Sequence, residues 1–150
     1  MNKEFIRAQL DSLYDLLKQK AQELQEVVKL TRGQRVVLEQ SKEAHFHELV
    51  KKKQKVMEEI QVIDHEFMQK YQQLRDLIVT ESSIYGAEIQ KLQQVISQIA
   101  DLMQLIYKEE KQIKELMQKQ MKQMHERLRQ VQYSPDYVAK IYKKQPPKRP

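Results

Sequence analysis

Apolar side chains recur at alternating three- and four-residue spacings along most of the chain, the spacing of one face of an α-helix. One series spans residues 10–38 and has six apolar positions of nine. A second, over residues 46–77, restarts one residue out of step and has eight of ten. The third, over residues 85–131, has eleven of fourteen. The pattern predicts three long helices, over about residues 3–38, 44–79 and 84–132.

A few polar residues interrupt each series. They are Lys20, Thr31 and Gln34 in the first, Lys53 and Lys70 in the second, and Glu110, Gln120 and Arg127 in the third.

The breaks between the series indicate turns. The phase shift within residues 39–45 fits either a tight turn or a stutter in one long helix. We favour the turn, with Ser41 as the N-cap of the second helix. Cap-type residues at 80–83 beside Gly86 predict the second turn, and Ser134 with Pro135 ends the third helix.

Composition supports a helical fold. The 150 residues include only two glycines and four prolines, too few turn residues for a β-sandwich, a barrel or a doubly wound α/β domain. The 32% charged and 40% hydrophobic residues are typical of long helices. We therefore predict an all-α antiparallel three-helix bundle or coiled coil over residues 1–132. A short basic tail containing tyrosine and proline follows over residues 133–150.

The charge of +6 is unevenly placed. Residues 133–150 hold five basic side chains and one acidic, whereas the rest of the chain holds 22 and 20. A nearly balanced body without interleaved aromatic and basic residues does not predict nucleic-acid binding. The longest strongly apolar runs are three residues long, so we expect no integral membrane segment. Together with the absence of cysteine, this favours a cytoplasmic protein.

No residue constellation predicts catalysis. His45 and His47 are two residues apart and diverge on a helix, and no histidine follows a glutamate or aspartate by three. The chain has no cysteine nucleophile, no strand–turn–helix elbow for a serine and no glycine-rich phosphate loop. We expect a protein that is not an enzyme and has no cofactor and no metal.

Helix lengths point to a candidate binding surface. At about 1.5 Å per residue, the third helix outruns the second by roughly 20 Å, which would leave part of its apolar face without a partner. Four of the seven methionines lie within residues 103–124 of this helix, and methionine adapts to varied apolar faces. The predicted groove comprises Met103, Ile106, Ile113, Met117, Met121, Met124 and Leu128. Alternatively, the same side chains fill the core of a bundle or of a homodimer.

The tail concentrates aromatic residues. Tyr133, Tyr137 and Tyr142 lie within ten residues, among valine, isoleucine and basic side chains. Such a segment fits either a short element that docks on the bundle or an arm that becomes ordered on a partner.

Leucine spacing over roughly residues 10–130 resembles that of the FlgN family of flagellar export chaperones. The motifs are Leu16-Leu17, then Glu23-Leu24, then Glu48-Leu49-Val50-x-x-Lys53-Gln54-x-Val56-Met57-x-x-Ile60-x-x-Ile63-Asp64, and finally Leu102-Met103-x-x-Ile106-Tyr107-x-x-Glu110-x-x-Ile113-x-x-Leu116-Met117. FliT-like chaperones and the FliJ-like coiled-coil export component look partly alike.

The resemblance implies a cytoplasmic, non-enzymatic chaperone of a type III flagellar export apparatus. Its clients would be hook–filament junction proteins of the FlgK and FlgL kind, whose amphipathic helical ends it would mask and deliver to the export gate protein FlhA. The tail tyrosines would then contribute to docking on the export machinery. The alternative is a structural, FliJ-like coiled-coil component that self-associates through the third helix.

Overall fold

Three long helices follow one another in the computed structural model, which describes residues 2–133 and Ala139. They are α1 (Lys3–Glu39), α2 (Glu43–Thr80) and α3 (Gly86–Tyr133). The described residues contain no strand, and the predicted all-α three-helix fold is confirmed. The chain divides into two compact units, Met1–Ile113 and Lys114–Pro150.

A tight turn separates α1 from α2. Ser41 has a left-handed backbone with φ of 56°. Its N–H donates to the carbonyl of Leu38 at 3.1 Å, and the N–H of Lys42 donates to the carbonyl of Val37 at 2.9 Å. This pair of hydrogen bonds is a Schellman motif, which closes a helix C-terminus.

The prediction that Ser41 caps the N-terminus of α2 was therefore wrong. The N-cap is Lys42, and no side chain forms a capping hydrogen bond there. Ser41 instead takes the position after the C-cap of α1, where glycine is usual because it has no Cβ to clash.

Tyr85 closes the end of the bundle at the second turn. The turn is tied to α2 by hydrogen bonds from the N–H of Glu81 to Leu77 and from the N–H of Ile84 to Glu81. The side chain of Tyr85 then enters the apolar core and is almost completely buried. Its hydroxyl has no hydrogen-bond partner among the described residues.

Polar contacts within residues 1–113 fix the direction of each helix. Lys70 donates to Ser12 and Lys20 pairs with Asp64, so α1 and α2 run antiparallel. Arg7 pairs with Glu88 near the start of α1 and α3. Arg32 pairs with Glu109 much later in both helices, so α1 and α3 run parallel.

The apolar core lies among the three helices of this first unit. It is formed by Ile6, Leu10, Leu13, Leu17, Ala21, Leu24 and Val27 of α1, Ile60 and Leu74 of α2, Tyr85 of the turn, and Leu92, Val95 and Ile99 of α3. Gly33 of α1 lies beside α2, since a Cβ added there would be 3.4 Å from Cδ1 of Leu49. The smallest residue thus sits where the two helices approach closely.

Replacing Ser41 with glycine should stabilise the protein. A non-glycine residue in the left-handed region costs about 1–2 kcal/mol, part of which is offset by the flexibility that glycine adds to the unfolded chain. We expect Ser41→Gly to raise the free energy of unfolding by about 0.5–1 kcal/mol in urea titrations followed by circular dichroism. Ser41→Ala is the matched control and should give no gain, because alanine keeps the Cβ. A Ser41→Gly protein less stable than the original would contradict the role of the turn.

Candidate protein-binding surface

Most residues of the predicted groove are exposed, but two are not. Met103, Met117, Met121, Met124 and Leu128 are all exposed. Ile113 is only 5% exposed, and Ile106 packs against the apolar core. Ile106 and Ile113 thus lie on the inward face of α3 with Leu92 and Ile99, where Ile113 is buried and Ile106 is partly buried.

Four exposed apolar residues of the second unit form one stripe. Met117, Met121, Met124 and Leu128 follow one another at spacings of four, three and four, which places them along one face of α3. We call these four residues the methionine stripe. Their side chains are 45%, 62%, 60% and 52% exposed. Contiguous exposed apolar side chains of this kind are characteristic of protein-binding surfaces.

The tail tyrosines cannot be placed in the same way. Tyr133 is the last residue of α3, and its side chain lies outside the described part of the chain. Tyr137 and Tyr142 also lie outside the described residues. Their docking role therefore stays a prediction.

A polar layer crosses the first unit near Lys53 of α2. The ammonium of Lys53 donates to Oε1 of Gln34 in α1 at 3.2 Å and to a carboxylate oxygen of Glu110 in α3. Only 15% of the Lys53 side chain is exposed, and this burial lowers the pKa of Lys53. One cation thus joins all three helices.

Glu109 extends this layer towards α1. Its Oε1 accepts a hydrogen bond from Nε of Arg32 at 3.3 Å. Nε of Arg35 lies 3.2 Å from Oε2, close enough for an ion pair but without hydrogen-bond geometry. The Glu109 side chain is 10% exposed, so the two guanidinium groups compensate a largely desolvated carboxylate.

The polar interruptions of the apolar series are a sequence signal for this layer. Gln34, Lys53 and Glu110 each interrupt a different apolar series, and in the structure Lys53 donates to the other two. Lys20 and Lys70 were also interruptions, and they bind Asp64 and Ser12. Matching polar interruptions between helices folded up, down and up would have predicted the contacts of Lys53 with Gln34 and Glu110.

Three further features of the described residues lie outside the stripe and the polar layer. Glu23 of α1 has a raised pKa, because partial burial, a hydrogen bond with Glu59 and repulsion from Glu59 and Glu26 all favour its protonated form. Among the described residues, no three histidine, aspartate or glutamate side chains come together as metal ligands. None of the described helices has an apolar stretch long enough to span a bilayer.

The fold and the methionine stripe together are typical of helical proteins that bind other proteins. The profile of the FlgN protein family matches residues 1–145. The chain therefore belongs to the FlgN family and is a flagellar export chaperone. No curated protein and no solved structure matches the chain.

Removing the carboxylate of Glu109 should destabilise the first unit. Glu109→Ala leaves Nε of Arg35 inside the bundle without its counter-charge and also removes the Arg32 hydrogen bond. We expect the free energy of unfolding to fall by about 1–3 kcal/mol in urea titrations. Glu115→Ala is the matched control, since Glu115 is exposed and should change stability by less than about 0.5 kcal/mol. If both variants unfold like the original protein, the ion pairs of Glu109 contribute nothing to stability.

Proposed function

We propose that the methionine stripe binds the amphipathic helical ends of hook–filament junction proteins of the FlgK and FlgL kind. Such ends assemble with one another through apolar faces, so a chaperone that covers them prevents premature assembly. The exposure of Met117, Met121, Met124 and Leu128 is the observation that carries this proposal. An amphipathic client helix would lay its apolar face along the stripe.

Methionine suits a surface that binds and later releases its client. Its unbranched thioether side chain adapts to different apolar shapes and gives contacts of moderate specificity. Met103 of the first unit is exposed as well and is a further proposed client contact, separate from the stripe. Ile106 and Ile113 contribute instead by anchoring the inner face of α3 in the first unit.

The proposal extends to delivery of the client. In it, the chaperone works in the cytoplasm and brings its client to the export gate protein FlhA. Tyr133, Tyr137 and Tyr142 would dock on the export machinery, since tyrosine provides a large apolar ring with a polar hydroxyl and is favoured at interfaces. Client binding and docking would thus use different residues.

Placing charges within the stripe should abolish client binding. Met117→Asp combined with Met121→Asp buries two carboxylates against the apolar face of the client, a cost that should weaken binding at least a hundredfold. The measurement is co-purification of a co-expressed FlgK-like client, with helicity checked by circular dichroism. Gln94→Asp combined with Gln98→Asp is the control, because these exposed positions carry the same added charge at the same spacing on the same helix but neighbour neither the stripe nor Lys114 and Arg127.

Retention of the client by the methionine double variant would eliminate the stripe as the client site. Loss of a concentration-independent dimer in that variant, seen by light scattering, would instead favour the self-associating FliJ-like alternative.

Changing the tail tyrosines should impair secretion while leaving client binding intact. The triple variant Tyr133→Ala, Tyr137→Ala and Tyr142→Ala keeps the full chain and removes only the three aromatic side chains. We expect several-fold lower export of the client, measured in culture medium, with unchanged co-purification. Tyr107→Ala is the control, because Tyr107 is an exposed tyrosine of the first unit. Normal secretion by the triple variant would refute the docking role of the tail.

A further inference from the structure

Positive charge dominates the part of α3 that carries the methionine stripe. Residues 114–133 hold five basic side chains and two acidic ones. The basic residues are Lys114, Lys119, Lys122, Arg127 and Arg129, and the acidic residues are Glu115 and Glu126. The charge that a bound helix meets depends on which of these seven residues border the stripe.

Two of the seven charged residues border the stripe, and both are basic. Lys114 precedes Met117 by three positions, and Arg127 follows Met124 by three, so each lies beside a stripe residue on the helix surface. His125 also borders the stripe, three positions before Leu128 and four after Met121.

The two acidic residues lie away from the stripe. Neither Glu115 nor Glu126 is three or four positions from any of the four stripe residues. The same is true of Lys119, Lys122 and Arg129. The charged border of the stripe therefore consists of Lys114 at one end and Arg127 towards the other.

The border charges are not neutralised by neighbours in the described part of the chain. The ion pairs of the described residues involve α1, α2 and the part of α3 up to Glu110, and none involves Lys114 or Arg127. Both side chains are exposed. Their charge is therefore presented to whatever helix occupies the stripe.

We infer that the occupant is an amphipathic helix with aspartate or glutamate at the edges of its apolar face. This inference rests on the proposed function and names the chemistry of the client at the same site. Opposite charges along the rim of an apolar contact favour one partner and one orientation, whereas like charges suppress the wrong ones. A second copy of this chain would bring lysine and arginine against lysine and arginine in either orientation.

Two synthetic helical peptides test the inference with the full-length protein. Both carry the same leucine-rich apolar face, but one has glutamate and the other lysine at the edges of that face. In fluorescence anisotropy at about 50 mM NaCl, we expect the glutamate peptide to bind roughly tenfold more tightly. The difference should shrink at about 500 mM NaCl, because salt screens exposed charges.

Charge reversal at the border should reverse this preference. Lys114→Glu combined with Arg127→Glu is expected to bind the lysine peptide more tightly than the glutamate peptide. Lys119→Glu combined with Lys122→Glu has the same net charge but leaves the border unchanged, so it should retain the original preference. If the two variants respond equally, net charge rather than the border selects the partner, and the inference is overturned.

Failure of the inference differs from failure of the proposed function. One outcome is that the two peptides bind the original protein equally tightly and fail to bind the protein with Met117→Asp and Met121→Asp. This result overturns the preference for acidic residues at the edges of the client helix, but the stripe remains the binding site. A glutamate preference that survives in that protein removes the stripe itself. Binding of neither peptide, a stable dimer formed through the stripe, or tighter binding to vesicles of acidic lipid than to the glutamate peptide also overturns the inference.

Discussion

The ammonium group of Lys53 sets the alignment of the three helices in the first unit. Apolar seams with regular spacing pack almost equally well when one helix slides by a turn, so they do not specify a single register. Lys53 removes that freedom, because its partners Gln34 and Glu110 lie on the other two helices. A slide of one turn would leave a largely buried cation without compensation, at a cost of several kcal/mol. Burial lowers the pKa of Lys53 because it disfavours the charged form, and the hydrogen bonds to Gln34 and Glu110 compensate part of this desolvation.

The sequence predicted the number of helices, but it did not predict which side chains of each helix are covered and which are exposed. Three apolar series in different phases predicted three helices, with a stutter in one long helix as the alternative at residues 39–45, and the scarcity of glycine and proline excluded other folds. The role of Ser41 was harder to predict, because a serine between two helices can either end the first helix or cap the second. The positive φ of Ser41 and the hydrogen bond from the N–H of Lys42 to the carbonyl of Val37 show that Ser41 ends α1.

The exposure of the predicted groove residues could be predicted only in part, for a similar reason. On α3, one series of alternating threes and fours runs from the covered Ile106 and Ile113 to the exposed Met117 and Met124. Met103 belongs to the same series and is exposed, although it is only three positions from Ile106. Spacing alone therefore does not separate covered from exposed positions. Their burial depends on where α1 and α2 lie, and that is set by long-range contacts such as those of Arg32 with Glu109.

The two units differ in net charge as well as in their contacts. Residues 1–113 contain 17 basic and 18 acidic side chains, whereas residues 114–150 contain ten and three. Balanced charge suits the first unit, because its salt bridges between helices use both signs in equal measure. Excess positive charge in the second unit opposes the association of two copies of an exposed apolar stripe, since net charge opposes self-association. If the stripe is the client site, the same charge attracts a helix of opposite charge, so one arrangement of residues would both oppose self-association of the free chaperone and select its client.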